Sequence, residues 1–200
     1  MGELGAIILA AGMSSRMHDF KPMLKLGGQT IISRVLHMVR SAGAEPVVIV
    51  TGNRAGEIEN HLADENVRFV RNERYASTQM LDSLLIGLTH IPPECHRILI
   101  TPADIPLVHP ETIRQLLDGD GQFVRPRHGS KNGHPAIMSA QLIPALLNYT
   151  GNDGLRGAID YAGVKMTNIE VSDRAVLLDA DTPVDYAEMC RYFAEEYACE

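Results

Sequence analysis

Arg16 and Lys21 stand just behind the small-residue stretch Leu9-Ala10-Ala11-Gly12. The apolar run Ala6 to Leu9 leads into that stretch and reads as a buried first strand. A strand that opens into a loop of small residues lets backbone N–H groups come close to phosphate oxygens, because no bulky side chain stands in the way. Two fixed positive charges at the same mouth suit a nucleoside triphosphate, with Lys acting as a point charge and Arg able to fork across two oxygens. Neither common phosphate signature is present. The absence of G-x-x-x-x-G-K-[ST] argues against a P-loop NTPase, and the absence of G-x-G-x-x-G against a dinucleotide-binding oxidoreductase. Read alone, the loop also fits a strand-to-helix turn whose glycine serves the backbone, with Arg16 and Lys21 solvated.

A second set of chemical groups lies further along. Asp104 follows the apolar run Arg97–Thr101 and precedes Ile105-Pro106. A carboxylate at a strand end can hold Mg²⁺, which commonly takes one or two carboxylates together with phosphate oxygens. It can also simply cap the following turn. Asp179 and Asp181 compete for the place of a second carboxylate. Arg125, Arg127, His128 and Lys131 make a basic stretch ahead of Gly133-His134-Pro135, either to attract an anion or as ordinary solvated surface.

The elements that must position these groups alternate between strand and helix patterns. Strands are predicted at 6–9, 46–51, 67–71, 97–101, 123–125, 136–139, 164–169 and 175–178. Helices are predicted at 30–42, 55–63, 78–90, 110–117, 140–148 and 153–162. A last helix opens on a capping-box-like Thr182-Pro183-Val184-Asp185 and runs to about Tyr197. Repeated strand–helix units imply a mostly parallel, doubly wound sheet with helices on both faces, and ligands in such sheets bind past the C-terminal ends of the strands. The 10–21 loop and Asp104 both lie there.

Composition narrows the classes. Two hundred residues fit one domain, with no internal repeat and no low-complexity linker. A net charge of −7 argues against nucleic-acid binding, yet a local Arg16, Lys21 and Lys25 cluster can still attract a nucleotide. Cys95, Cys190 and Cys199 form no C-x-x-C pair and read as reduced thiols in a cytoplasmic protein. No apolar stretch has the length of a membrane span, and the N-terminus carries no signal-peptide pattern.

Four further segments join the first loop in order: Thr101-Pro102-Ala103-Asp104-Ile105-Pro106-Leu107-Val108, Gly133-His134-Pro135, Gly151-Asn152-Asp153-Gly154-Leu155-Arg156-Gly157 and Asp179-Ala180-Asp181-Thr182-Pro183-Val184-Asp185-Tyr186. Together the five resemble the MobA/MocA-like NTP transferase family, and within it the molybdenum cofactor cytidylyltransferases. The resemblance implies a single-domain, Rossmann-like, three-layer α/β/α nucleotidyltransferase fold of the nucleotide-diphospho-sugar transferase type, over residues 1–200. It implies Mg²⁺-dependent transfer of CMP from CTP to a molybdopterin-type cofactor, with release of pyrophosphate. Ala11 carries the choice of base, because cytidylyl-transferring relatives read L-A-A-G and guanylyl-transferring ones L-A-G-G.

The family's residues carry over by position. Arg16, Lys21 and Asp104 would be catalytic. Leu9, Ala10, Ala11, Gly12, Ser14, Arg16, Lys21, Thr51, Asn72 and Ser83 would bind the nucleotide. Gly133, His134, Pro135, Asp153 and Arg156 would face the acceptor, with His134 either a hydrogen-bond donor to substrate or a structural histidine. Asp104 and Asp181 would bind the metal. The segment Ser77-Thr78-Gln79-Met80-Leu81-Asp82-Ser83 departs from the family, since Leu81 and Asp82 stand where small residues are usual. A molybdenum hydroxylase is the implied client. GMP transfer to the same cofactor, nucleotidyl transfer to a sugar or polyol phosphate, and a non-enzymatic cofactor-insertion chaperone are the alternatives.

Overall fold

The computed structural model describes residues 4–13, 17 and 19–197. Strand β1 (Leu4–Ala10) is followed by a 3-10 turn at Lys21–Met23 and by a small hairpin, β2 (Lys25–Leu26) with β3 (Gln29–Thr30). Then come α1 (Ile31–Ser41), β4 (Val47–Thr51), α2 (Ala55–His61), β5 (Arg68–Arg71), α3 (Met80–Leu88), β6 (Arg97–Pro102) and α4 (Pro110–Leu117). The second half holds β7 (Phe123–His128), β8 (Lys131–Asn132), β9 (Ala136–Ser139), α5 (Ile143–Leu147), α6 (Gly154–Tyr161), β10 (Thr167–Glu170) and α7 (Pro183–Tyr197).

The main sheet has the order β10-β7-β9-β6-β1-β4-β5, with β8 beside β7. Strands β6, β1, β4 and β5 run parallel, as do β7 and β10. Between these two groups β9 runs antiparallel to both β6 and β7. The three-layer α/β/α expectation holds. Alternation along β1 explains the layers: Ala6, Ile8 and Ala10 point into a core with α1, α2, α4 and α7, whereas Ile7 points into one with α3, α5 and α6. Buried apolar side chains cover both faces, so each buried Ile contributes roughly 2–3 kcal/mol of transfer free energy. Among the described residues no helix is long and apolar enough to cross a membrane.

Three local differences from the predicted elements have physical causes. The expected strand at 175–178 is a 3-10 turn, Arg174–Leu177. The Asp173 carboxylate accepts from Ala175 N (2.9 Å) and winds the chain, and the Val176 carbonyl accepts from His134 N (3.0 Å). The expected strand at 164–169 begins only at Thr167, because Val164 N–H closes α6 on the Ile159 carbonyl (3.2 Å), past Gly163 at φ +70°. The unpredicted β2–β3 hairpin turns through Gly27 and Gly28, both at positive φ, and that Gly-Gly pair was its readable signal. The capping box of α7 is present: Asp185 Oδ2 accepts from both Thr182 N (2.8 Å) and Thr182 Oγ1 (2.7 Å).

Candidate active site

A cleft of about 480 Å³ lies across the ends of β1 and β6. Leu9, Ala10, Ala11 and Gly12 form one wall. A Cβ added at Gly12 would meet nothing within 4 Å, so the backbone here faces open space. Ser14 and Arg16 lie outside the described residues.

In the same cleft, the Lys21 ammonium donates to Asp104 Oδ2 (3.4 Å) and to Asp181 Oδ1. The three side chains are 11%, 20% and 29% exposed, so the cluster is shielded but reachable. Each member is held by its own element. Lys21 sits in the 3-10 turn, where Leu24 N returns to the Lys21 carbonyl (3.1 Å). Asp104 is two residues past β6, on a backbone tied to β1 by Ala103 N donating to the Leu9 carbonyl (3.0 Å). Asp181 precedes the Thr182 cap of α7, and the Tyr186 hydroxyl donates to the Lys25 carbonyl, fastening α7 beside the Lys21 turn. Asp179 also lines the cleft. Burial pushes the Asp104 carboxyl above its ordinary range, opposed by Lys21. Burial, and then the charges of Asp181 and Asp104, push Asp179 up as well.

Among the described residues no group of three or more His, Cys, Asp or Glu is arranged as a complete metal cage. Two carboxylates that converge on one point of the cleft nevertheless suit Mg²⁺, a hard cation that draws the rest of its oxygen ligands from water and substrate.

The remaining predicted nucleotide residues divide. Ser83 lines the cleft, whereas Thr51 and Asn72 do not. Thr51 is fully buried and donates to Glu59 Oε1 (3.0 Å). Asn72 is buried, and its amide donates to Thr78 Oγ1 (2.8 Å) and Ser83 Oγ (3.0 Å). Its place is to set two cleft-lining hydroxyls. The irregular 77–83 segment also has a structural reason: Asp82 Oδ2 accepts from Gln79 N (2.7 Å) and completes a capping box that starts α3.

Next to the cleft is a second cavity of about 160 Å³, sharing Leu9, Met80, Pro102 and His134 with it. Gly133 and Arg156 line this cavity, while Pro135 and Asp153 line neither. Pro135 is buried, and Asp153 is exposed at the start of α6. Gly133 is needed for close approach, since a Cβ there would overlap the Val176 carbonyl oxygen. His134 stands at the junction of the two cavities, and its buried Nδ1 has no hydrogen-bond partner among the described residues. Burial, and then the Arg125 charge, hold its imidazole down at about 4, so it is neutral near pH 7.

This neutrality sets a pH dependence. Below the ordinary value of 6.5 the unfolded chain takes up a proton that the folded imidazole refuses until about pH 4. Stability therefore falls as pH drops through that window, by up to about 3 kcal/mol. Urea unfolding of the wild type and of His134→Gln from pH 7 to 4 checks this. The two curves should diverge, with the variant losing less stability on acidification, and parallel curves would refute a neutral buried His134.

Sequence reading missed a strap around the first loop. Asn53 Nδ2 donates to the Met13 carbonyl (3.3 Å), and the Arg54 guanidinium lies 4.7 Å over the Phe20 ring. Arg54 adopts φ +51°, a left-handed conformation unusual for a side-chain-bearing residue and invisible in its local sequence. Tyr75, Thr78, Gln79 and Met80 are further cleft residues that no spacing singled out.

A largely parallel sheet whose first strand ends in a small-residue loop, with an ammonium between two carboxylates in the same cleft, is the kind of α/β site that suits a nucleotide. The model of the MobA-like NTP transferase domain matches residues 6–169, and the chain belongs to that family. The molybdenum cofactor cytidylyltransferase of Escherichia coli K12 is 28% identical over 192 residues, covering 93% of this chain and 95% of its own. The bifunctional protein GlmU of Geobacter metallireducens is 36% identical over 128 residues, 60% of this chain but only 26% of its own length. The chain thus spans about a quarter of that relative. A solved nucleotidyl transferase from Methanothermobacter superposes with a TM-score of 0.84 at 28% identity, covering 96% of this chain and 98% of its own.

Proposed function

We propose that the chain transfers CMP from CTP to the terminal phosphate of a molybdopterin-type cofactor, with Mg²⁺, for delivery to a molybdenum hydroxylase. The observation that carries this reading is Lys21 held between Asp104 and Asp181 in the cleft that the backbone of residues 9–12 also lines. The near full-length similarity to the E. coli cytidylyltransferase supports the choice of acceptor, and Ala11 the choice of base.

In this reaction an acceptor phosphate oxygen attacks the α-phosphorus of CTP. The new P–O bond forms as the bond to the β-phosphate breaks, and pyrophosphate leaves with the electron pair. A phosphate monoester is already ionised near pH 7, so no general base is needed, in keeping with a neutral His134. Lys21 neutralises charge that grows on the α-phosphate and the leaving group, and the backbone of residues 10–12 orients the phosphates. Asp104 and Asp181 would hold Mg²⁺, which supplies further neutralisation of the triphosphate when bound.

Thermal unfolding with Mg²⁺ and each of CTP, GTP, ATP and UTP tests the assignment. At about a hundred times its dissociation constant, CTP should add roughly 2.7 kcal/mol of stability in the presence of Mg²⁺. A selective GTP response would replace the proposed base while keeping the chemistry. Indifference to all four would count against an NTP substrate.

A further inference from the structure

Arg54 has an unusual backbone for its side chain. It adopts φ +51°, whereas the seven other described residues at positive φ are all glycines. A side chain in this left-handed region strains the backbone, and a glycine would sit there without strain. Such a residue persists only where its surroundings hold it, and the Arg54 guanidinium is held. Its Nη2 donates to Glu57 Oε2 (2.6 Å) and its Nε to Glu57 Oε1. The same guanidinium stands 4.7 Å from the centre of the Phe20 ring. Phe20 is buried and immediately precedes Lys21, and its carbonyl accepts from Met23 N (3.0 Å) in the turn that carries Lys21. The residue before Arg54 reaches a different segment. Asn53 Nδ2 donates to the carbonyl of Met13, the residue after Gly12 (3.3 Å).

Two consecutive residues past β4 therefore touch both the end of the 9–12 backbone and the start of the Lys21 turn. Neither Asn53 nor Arg54 lines the cleft, whereas Met13 and Lys21 do. We propose that Asn53 and Arg54 are positioning residues, which set the place of the 9–12 backbone relative to the Lys21 ammonium and act on a substrate only through them. Their contacts are poorly suited to a role in global stability. Arg54 and Glu57 are 49% and 46% exposed, and an exposed ion pair or cation–π contact adds little to a fold. Lost geometry is more costly, because a reacting group misplaced by about 1 Å can slow a step about a hundredfold. That the groups so placed handle a triphosphate rests on the transferase reading above, whereas the strap itself does not.

Arg54→Gly and Asn53→Ala test the strap. Arg54→Gly removes the guanidinium and the backbone strain together, so this variant should melt no lower than the wild type. Its kcat for CMP transfer should fall about tenfold, with the KM for CTP within about twofold, since a displaced Lys21 charge counts most in the transition state. Asn53→Ala should show the same split. Arg54→Lys, which keeps a cation to place over Phe20, should recover part of the rate lost in Arg54→Gly. Amide hydrogen exchange followed by NMR needs no substrate. The Met23 and Leu24 amides, which close the Lys21 turn on the Phe20 and Lys21 carbonyls, should exchange about tenfold faster in Arg54→Gly, while those of Ile98 and Leu99 in β6 keep the wild-type rate. Unchanged exchange at Met23 and Leu24, a wild-type kcat in either variant of an active enzyme, a loss carried by KM alone, or a loss that merely follows a lower melting temperature would each overturn the proposal. A wild type that transfers no CMP, with the Lys21 turn still loosened in Arg54→Gly, would sink the transferase reading and leave the strap standing.

Discussion

Lys21→Ala is expected to slow nucleotidyl transfer about a thousandfold, the scale on which removing one preorganised charge-stabilising group acts. The loss should fall mainly on kcat. Negative charge builds on the α-phosphate and pyrophosphate as the bond breaks, so the ammonium is worth more in the transition state than in the bound ground state. The same substitution leaves Asp104 and Asp181 without their shared cation and Asp179 close to both. The free protein should lose roughly 1–3 kcal/mol at neutral pH, as expected when one partner of a largely buried ion pair is removed. Its folded carboxyls then hold protons more tightly than in the unfolded chain. Part of the loss should therefore return as the pH is lowered through the carboxylate range. Single-turnover rates and melting curves at pH 7 and pH 5 measure both effects. A variant with near-normal kcat would remove Lys21 from the chemistry, whatever its stability.

Asp104→Asn should produce a loss of activity of similar size, about a thousandfold, with the opposite effect on the fold. Burial already pushes this carboxyl above its ordinary range, so its ionised form costs folding free energy at neutral pH. A neutral amide of the same shape removes that cost, and Lys21 keeps Asp181 as its partner. The variant should melt at or above the wild-type temperature and lose the Mg²⁺ dependence of stabilisation by CTP. A loss of stability with Mg²⁺-dependent turnover intact would make Asp104 a structural residue. Opposite stability effects at two positions in one cluster separate chemistry from scaffolding better than either rate alone.

The first strand, expected at 6–9 and observed at Leu4–Ala10, and the acidic and basic groups at strand ends were legible because local pattern carries them. A run of apolar residues buried on both faces looks the same in the sequence as in the sheet, and Asp104 is recognisable as soon as the strand before it is seen. What stayed hidden depends on contacts across the fold. Residues 175–178 look like a strand until Asp173 winds them and His134 takes up the Val176 carbonyl. Asn72 has the right identity for a base contact, but its amide is consumed by Thr78 and Ser83. Asp82 departs from the family pattern because it starts a helix. The strap of Asn53 and Arg54 acts on residues far away in the chain, and one of its members sits in a left-handed conformation that no neighbour announces.

The antiparallel strand β9 bears on how the chain is made. It fills the outer edge of β6, yet it is synthesised only after β7 and β8. Until it emerges from the ribosome, the first four parallel strands can pair among themselves but Ile98, Leu99 and Ile100 stand along a bare edge, an open template for any neighbouring nascent chain. Dividing the protein between its two parallel groups would make that interval permanent. The two parallel groups are therefore not halves that can be expressed apart, and β9 acts as the late rivet that turns two strand sets into one folding unit.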